Sequence, residues 1–229
     1  MIRYLTGASS VGSERVAFER GIGLMIQPGN SYHLKVDRYP FWAADNGAFT
    51  RAPGGFSAER FRTMLARPML QDHAASCLFV VAPDELVVLP DGTVVGDAMG
   101  TLMKFHDWAV EIRAAGFPVA LVAQNGLEKL LHCVPWGMVD CLFIGGNTEW
   151  KLSDEARCCI VEAKRRGKLV HMGRVNSFGR LARASEMLCD TADGTFLMFG
   201  PKTNLPRLLG WLDRIALGVQ AHLPWGAAK

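Results

Sequence analysis

Three aspartates, a glutamine and a glycine pair hold most of the reactive potential of this sequence. Asp45 stands in Ala43-Ala44-Asp45-Asn46-Gly47-Ala48-Phe49, and Asp84 in Val81-Ala82-Pro83-Asp84-Glu85. Gln124 stands in Leu121-Val122-Ala123-Gln124-Asn125-Gly126, and the glycine pair in Phe143-Ile144-Gly145-Gly146-Asn147-Thr148-Glu149. His171-Met172-Gly173-Arg174 and Cys189-Asp190-Thr191-Ala192-Asp193-Gly194 complete the set. Neighbouring carboxylates push each other's pKa apart, so one can be charged while another holds a proton near neutrality. That division suits acid–base work. Taken singly, each residue has a plainer role. Asp45 before Asn46-Gly47 suits an Asx turn, Asp193-Gly194 a turn, Asp84 after Pro83 a helix cap, and Gln124 the satisfaction of backbone groups. The outcome depends on whether the fold gathers them.

The elements that must do so alternate along nearly the whole chain. Short apolar runs predict strands at 3–6, 23–27, 41–45, 78–82, 119–123, 141–144, 169–172 and 194–198. Amphipathic segments predict helices at 57–66, 98–115, 127–134, 153–166, 177–188 and 204–217. Ser57 and Ser153 suit helix starts, and Gly116 and Gly167 fall where helices end. Pro90-Asp91-Gly92-Thr93 between two valine-rich runs predicts a hairpin inserted after the fourth strand. The expectation is an α/β fold, a single-domain (β/α)8 TIM-type barrel over residues 1–229, with an open doubly wound sheet as the rival. In a barrel these polar residues cluster at the strands' C-terminal ends, where chemistry belongs.

With 49% hydrophobic and 21% charged residues, the composition excludes a disordered chain. No apolar run is long enough to predict a membrane span, and the N-terminus lacks a signal peptide's apolar core, which predicts a cytoplasmic protein. The six cysteines form no Cys-x-x-Cys and the six histidines no His-x-x-x-His, so no disulfide, metal or other cofactor is expected. His171 reads as a hydrogen-bonded core residue. The net charge of +3 is uneven: residues 151–214 hold 12 Lys and Arg against 7 Asp and Glu, including Lys164-Arg165-Arg166, Lys168, Arg174, Arg180, Arg183, Lys202 and Arg207. Gathered around a rim beside the last two strands, such residues could track phosphates; the alternative is a solvated helical face.

In order, these segments resemble the tRNA-guanine transglycosylase superfamily over about residues 41–200. Asp45-Asn46-Gly47-Ala48-Phe49 is similar to its Asp-Ser-Gly-Gly-Phe, and Val122-Ala123-Gln124-Asn125-Gly126 to its Val-Gln-Gly-Gly. Ile144-Gly145-Gly146 resembles its Ile-Gly-Gly-Leu, His171-Met172-Gly173-Arg174 its Leu-Met-Gly-Val, and Asp190-Thr191-Ala192-Asp193-Gly194 its Asp-Met-Phe-Asp-Cys. The chain lacks that family's zinc-binding Cys-x-Cys-x-x-Cys and is much shorter. It looks most like the compact phage-type branch, which inserts 7-deazaguanines into DNA.

The resemblance implies a glycosyltransferase that exchanges guanine in DNA for a free 7-deazaguanine base such as preQ0, in the host cytoplasm if phage-encoded. The alternatives are tRNA as acceptor, or an inactive barrel that binds nucleic acid or nucleobase. It assigns Asp193 as nucleophile and Asp45 as general acid and base, with Asp190 orienting or capping. It assigns Asp84 to guanine's N–H donors, with Asp97 as a second candidate because of the inserted hairpin. Gln124 and the N–H groups of Gly145 and Gly146 would meet guanine's carbonyl, Phe49 and Met172 would sandwich the base, and Asn46 and Gly173 would belong to the same wall. Arg174, Arg180, Arg183 and Lys202 would contact nucleic acid.

Overall fold

The computed structural model describes residues 1–7, 11–48 and 56–218. Eight parallel strands close into a barrel: β1 (Arg3–Thr6), β2 (Gly23–Ile26), β3 (Trp42–Ala44), β4 (Cys77–Val81), β7 (Val119–Ala123), β8 (Cys141–Ile144), β9 (Leu169–Met172) and β10 (Thr191–Gly194). They follow one another around the barrel in chain order, and β10 closes on β1 with Leu5 opposite Asp193. Closure satisfies every strand's backbone without an edge and removes the open-sheet alternative. The remaining strands, β5 (Glu85–Val88) and β6 (Val94–Asp97), form the expected antiparallel hairpin around Gly92, whose φ of 81° needs a glycine.

The strands are uniformly apolar because both faces are covered. Leu5, Phe41, Ala43, Phe79, Val81, Ala120, Val122 and Cys141 fill the interior. Alternate residues, such as Leu24, Val80, Leu121, Leu142, Val170 and Ala192, face a second core beneath the helices. The helices are α1 (Val11–Glu19), α2 (Ala58–Leu65), α3 (Pro68–Asp72), α4 (Ala98–Ala114), α5 (Thr148–Lys151), α6 (Asp154–Arg165), α7 (Phe178–Glu186) and α8 (Pro201–Ala216). Ser57 and Ser153 cap α2 and α6 as their spacing predicts, and Ser177 caps α7 in the same way.

Three expectations need correction. The last barrel strand is Thr191–Gly194, not 194–198. The apolar run after it coils into a 3₁₀ turn at Phe196–Phe199 that buries Leu197 and leaves Phe199 80% exposed. The helix expected at 127–134 is instead two 3₁₀ turns, Leu127–Lys129 and Leu131–Cys133. Bonds such as Leu130 N–H to Leu127 C=O close each turn before an α-helical ladder can start. Finally α8 begins at Pro201 rather than 204, because proline suits the first helical position, where no N–H is needed.

Candidate active site

Side chains alternate along a strand, so the interior residues fix which neighbours face the barrel axis. Ala43 faces inward, and two residues later so does Asp45, just past the end of β3. Val122 places Gln124 likewise past β7. Phe143 and His171 face each other inside, with ring centroids 4.7 Å apart. Asp193, opposite the inward Leu5, ends the series on β10. Asp45, Gln124 and Asp193 lie at the C-terminal mouth, over the Phe143 and His171 rings.

Asp84 organises one side of that mouth. Asn46 Nδ2 donates to Asp84 Oδ1 at 2.9 Å and to Ala82 C=O at 3.0 Å, while Gln124 Nε2 donates to Asp84 Oδ2 at 2.5 Å. Gln124 Oε1 accepts from Gly146 N–H at 3.0 Å. Burial raises the pKa of Asp84, opposed by the bonds from Asn46 and Gln124. Asp97 takes no part: it caps α4 by accepting from Met99 N–H, so Asp84 is the carboxylate at the mouth. A cavity of about 460 Å³ opens on the outer side of Asp84, toward α4, where Ala48, Phe56, Pro83 and Trp108 meet the charged Glu85, Lys104 and Asp107; Asp45, Gln124 and Asp193 do not line it.

Asp193 holds the other side. Its Oδ1 lies 3.0 Å from His171 Nε2 and accepts from Arg174 N–H at 3.2 Å. His171 Nδ1 lies 2.8 Å from Thr191 Oγ1, so the ring is a hydrogen-bonded core residue as expected. Arg174 adopts a left-handed φ of 59°, and its guanidinium donates to Gly146 C=O at 2.8 Å, tying the ends of β8 and β9 together. Asp190 is remote from this chemistry. Three residues along a strand are about 10 Å, and at the barrel's foot it accepts from Lys164 Nζ at 2.7 Å and from Val170 N–H at 2.8 Å.

Asp45 is half-buried and accepts from Gly47 N–H at 3.1 Å, which makes the Asx turn at the end of β3. Burial pushes its pKa up to about 6; the Gly47 bond and Arg174 oppose this, and the charges of Asp193 and Asp84 add to it. Sequence reasoning missed Lys151. It ends the short helix α5, is 1% exposed, and donates from Nζ to Gly173 C=O at 2.8 Å. Burial, then the nearby Arg174, push its pKa down to about 7, against the attraction of Asp193. A lysine between Trp150 and Leu152 carries no sequence signal of such a position.

Several expected contacts fall elsewhere. Met172 is fully buried and faces the outer core with Val170, so it does not line the mouth. Gly145 N–H donates to Ala123 C=O at 3.0 Å within the sheet, and Gly146 N–H is held by Gln124, so neither N–H points free into the mouth. Gly173 presents its carbonyl to Lys151. Phe49 lies outside the described residues. Arg183 donates to Leu152 C=O at 3.1 Å and sits 3.5 Å from Asp154, which turns it from a phosphate track. Lys164-Arg165-Arg166 ends α6 at the barrel's foot, where Glu162 pairs with both arginines. The basic excess is therefore divided between the two ends, with Arg174, and Arg180 and Lys202 in the first turns of α7 and α8, on the mouth side.

Among the described residues, no group of three His, Cys, Asp or Glu side chains could hold a metal ion, and no helix is long and apolar enough to cross a membrane. The six thiols are free.

No family model and no curated protein sequence matches the chain. Solved structures do. The chain is similar over 100% of its length to 95% of a chain in the Amycolatopsis orientalis BexX/CysO complex, with 17% identity and a TM-score of 0.56. It is similar over 94% of its length to 73% of a mandelate oxidase bound to benzoyl-formic acid, with 14% identity and a TM-score of 0.56. A mandelate racemase/muconate lactonizing protein from Herpetosiphon aurantiacus matches 84% of the chain, with 15% identity and a TM-score of 0.50, and the chain spans 54% of that protein. These likenesses establish the fold: a closed (β/α)8 barrel.

Proposed function

We propose that the protein is an enzyme, a transglycosylase that exchanges guanine in DNA for a free 7-deazaguanine base through a covalent intermediate on Asp193. One observation carries the reading: Asp45 after β3 and Asp193 on β10, three strands away around the barrel, face the same mouth closely enough that the charge of Asp193 raises the pKa of Asp45. An amide-bound carboxylate, Asp84, stands on the neighbouring strand end. The ordered resemblance of these segments to the tRNA-guanine transglycosylase superfamily supports it, as do Arg174, Arg180 and Lys202 near the mouth.

In the first half-reaction Asp193 forms a bond to C1′ as the bond from C1′ to the guanine nitrogen breaks. The electron pair leaves with guanine, which takes the proton held by Asp45 and departs neutral. In the second half, the incoming base loses its ring N–H proton to Asp45. Its nitrogen then attacks C1′, and Asp193 leaves as a carboxylate. One proton and one acceptor site are restored per cycle, so no further reactant is required. A carboxyl group with a pKa of about 6 suits both transfers near neutrality. Asp84 would recognise the donors of guanine's N1–H and amino edge, with Asn46 and Gln124 yielding or sharing its oxygens.

The reading is tested by incubating the purified protein with guanine-containing DNA, or with tRNA, and a free 7-deazaguanine, then measuring released nucleosides by mass spectrometry. The deazaguanine deoxynucleoside is expected in DNA. Incorporation only into tRNA moves the acceptor, and incorporation into neither overturns the function.

A further inference from the structure

His171 is fully buried inside the barrel, yet both of its ring nitrogens have partners. Its ring packs against both Phe79 and Phe143, with centroids 5.0 and 4.7 Å away, and these two rings also touch each other at 6.3 Å. Such packing removes the ring's rotational freedom, so the bond it makes to Asp193 fixes the carboxylate as well. An ionised carboxylate only accepts, which puts the proton on Nε2. The Thr191 hydroxyl, able to donate or accept, then donates to Nδ1. Arg174 N–H donates to the same Oδ1 from the mouth side. Among the described residues no group bonds Oδ2.

We propose that His171 is a positioning residue that holds Asp193 Oδ1 together with the Arg174 amide and leaves Oδ2 as the atom that attacks C1′. The inference rests on the transglycosylase reading for the attack, but the bond itself does not. With Oδ1 pinned on two sides, rotation of the carboxylate is restricted and Oδ2 is the oxygen left to react. Orientation of this kind contributes to the rate of attack, not to the affinity for substrate.

The test compares wild type with His171→Leu, which fills the apolar cage without a donor, and His171→Gln, whose amide restores one. Single-turnover formation of a denaturation-resistant adduct with DNA is expected to slow about 10–100-fold in His171→Leu, with KM for DNA unchanged, and to recover at least partly in His171→Gln. Equal adduct rates in wild type and His171→Leu overturn the positioning role alone. No adduct with wild type overturns the transglycosylase reading and the role with it. The bond is tested without any substrate by ¹⁵N NMR of labelled histidine. The Nε2–H tautomer is expected, with a proton shift that moves in Asp193→Ala; an Nδ1–H tautomer, or no response to Asp193→Ala, overturns it.

Discussion

Gly96 of the β6 hairpin strand stands against Gln124 so closely that a Cβ at this position would lie 2.0 Å from the glutamine Cδ. The hairpin inserted after β4 therefore braces the amide that bonds Asp84 and Gly146. Gly96→Ala should push Gln124 off Asp84 while the pairing of Leu86 with Gly96 survives. Guanine is neutral, so loss of one hydrogen bond from Gln124 to its carbonyl corresponds to about 2–10-fold in affinity. Calorimetry with free guanine should show a loss of that size, together with a lower Tm because the buried Asp84 carboxylate and Gly146 N–H each lose a partner. Unchanged affinity would mean that Gln124 does not serve the base.

Asp45 ties stability to pH. Its pKa is about 6 in the fold and 3.8 in the unfolded chain, so the folded state holds an extra proton between those values. Stability is lost as pH rises through that window, and the penalty is complete above about pH 6. Asp45→Asn removes it. The variant should match wild type below pH 4 and exceed it above pH 6, by on the order of 2 kcal/mol. Denaturant melts across pH 3.5–8 measure this, and a constant difference would contradict the burial of Asp45.

The same residue predicts how chemistry varies with pH. In the proposed mechanism adduct formation consumes the Asp45 proton, so single-turnover rates should fall about tenfold per pH unit well above pH 6. Asp45→Asn should be slower by about 10²–10⁴-fold and lose that slope. A wild-type profile that is flat from pH 6 to 9 would remove Asp45 as the acid.

Lys151 acts in the opposite direction. With a pKa of about 7 in the fold against 10.5 unfolded, the unfolded chain binds the extra proton between those values, so wild type gains stability as pH rises from 7 toward 10.5. Lys151→Met lacks this gain. Its stability relative to wild type should therefore decline over that range in urea melts, whatever the constant cost of leaving Gly173 C=O unbonded.

For nucleic acid, Arg180 in the first turn of α7 separates the mouth-side charges from the paired ones at the foot. Arg180→Glu should weaken DNA binding and lower the magnitude of the salt slope by about one, with free-base affinity unchanged. Arg165→Glu, at the foot, should do neither.

The barrel was legible because its strands are short, uniformly apolar and evenly interleaved with helices, and because Asp45, Asp84 and Gln124 follow such runs directly. The last strand was misplaced because Phe196-Leu197-Met198-Phe199 is more apolar than Thr191-Ala192-Asp193-Gly194, whose polar inward side chains belong to the site. Met172 illustrates a second limit: motif order placed it at the mouth, but the two-residue strand period turns it toward the helices. Lys151 and the bond from His171 to Asp193 depend on contacts across the barrel, between residues on different elements, and no local spacing reports them.

Covalent attachment of Asp193 to C1′ can be read by intact-protein mass spectrometry after a denaturing quench. Wild type incubated with guanine-containing DNA should carry the mass of the abasic strand on a peptide containing Asp193, and Asp193→Asn, folded to the same Tm, should carry none. An adduct of equal yield in Asp193→Asn, or one mapped to another residue, would contradict the account.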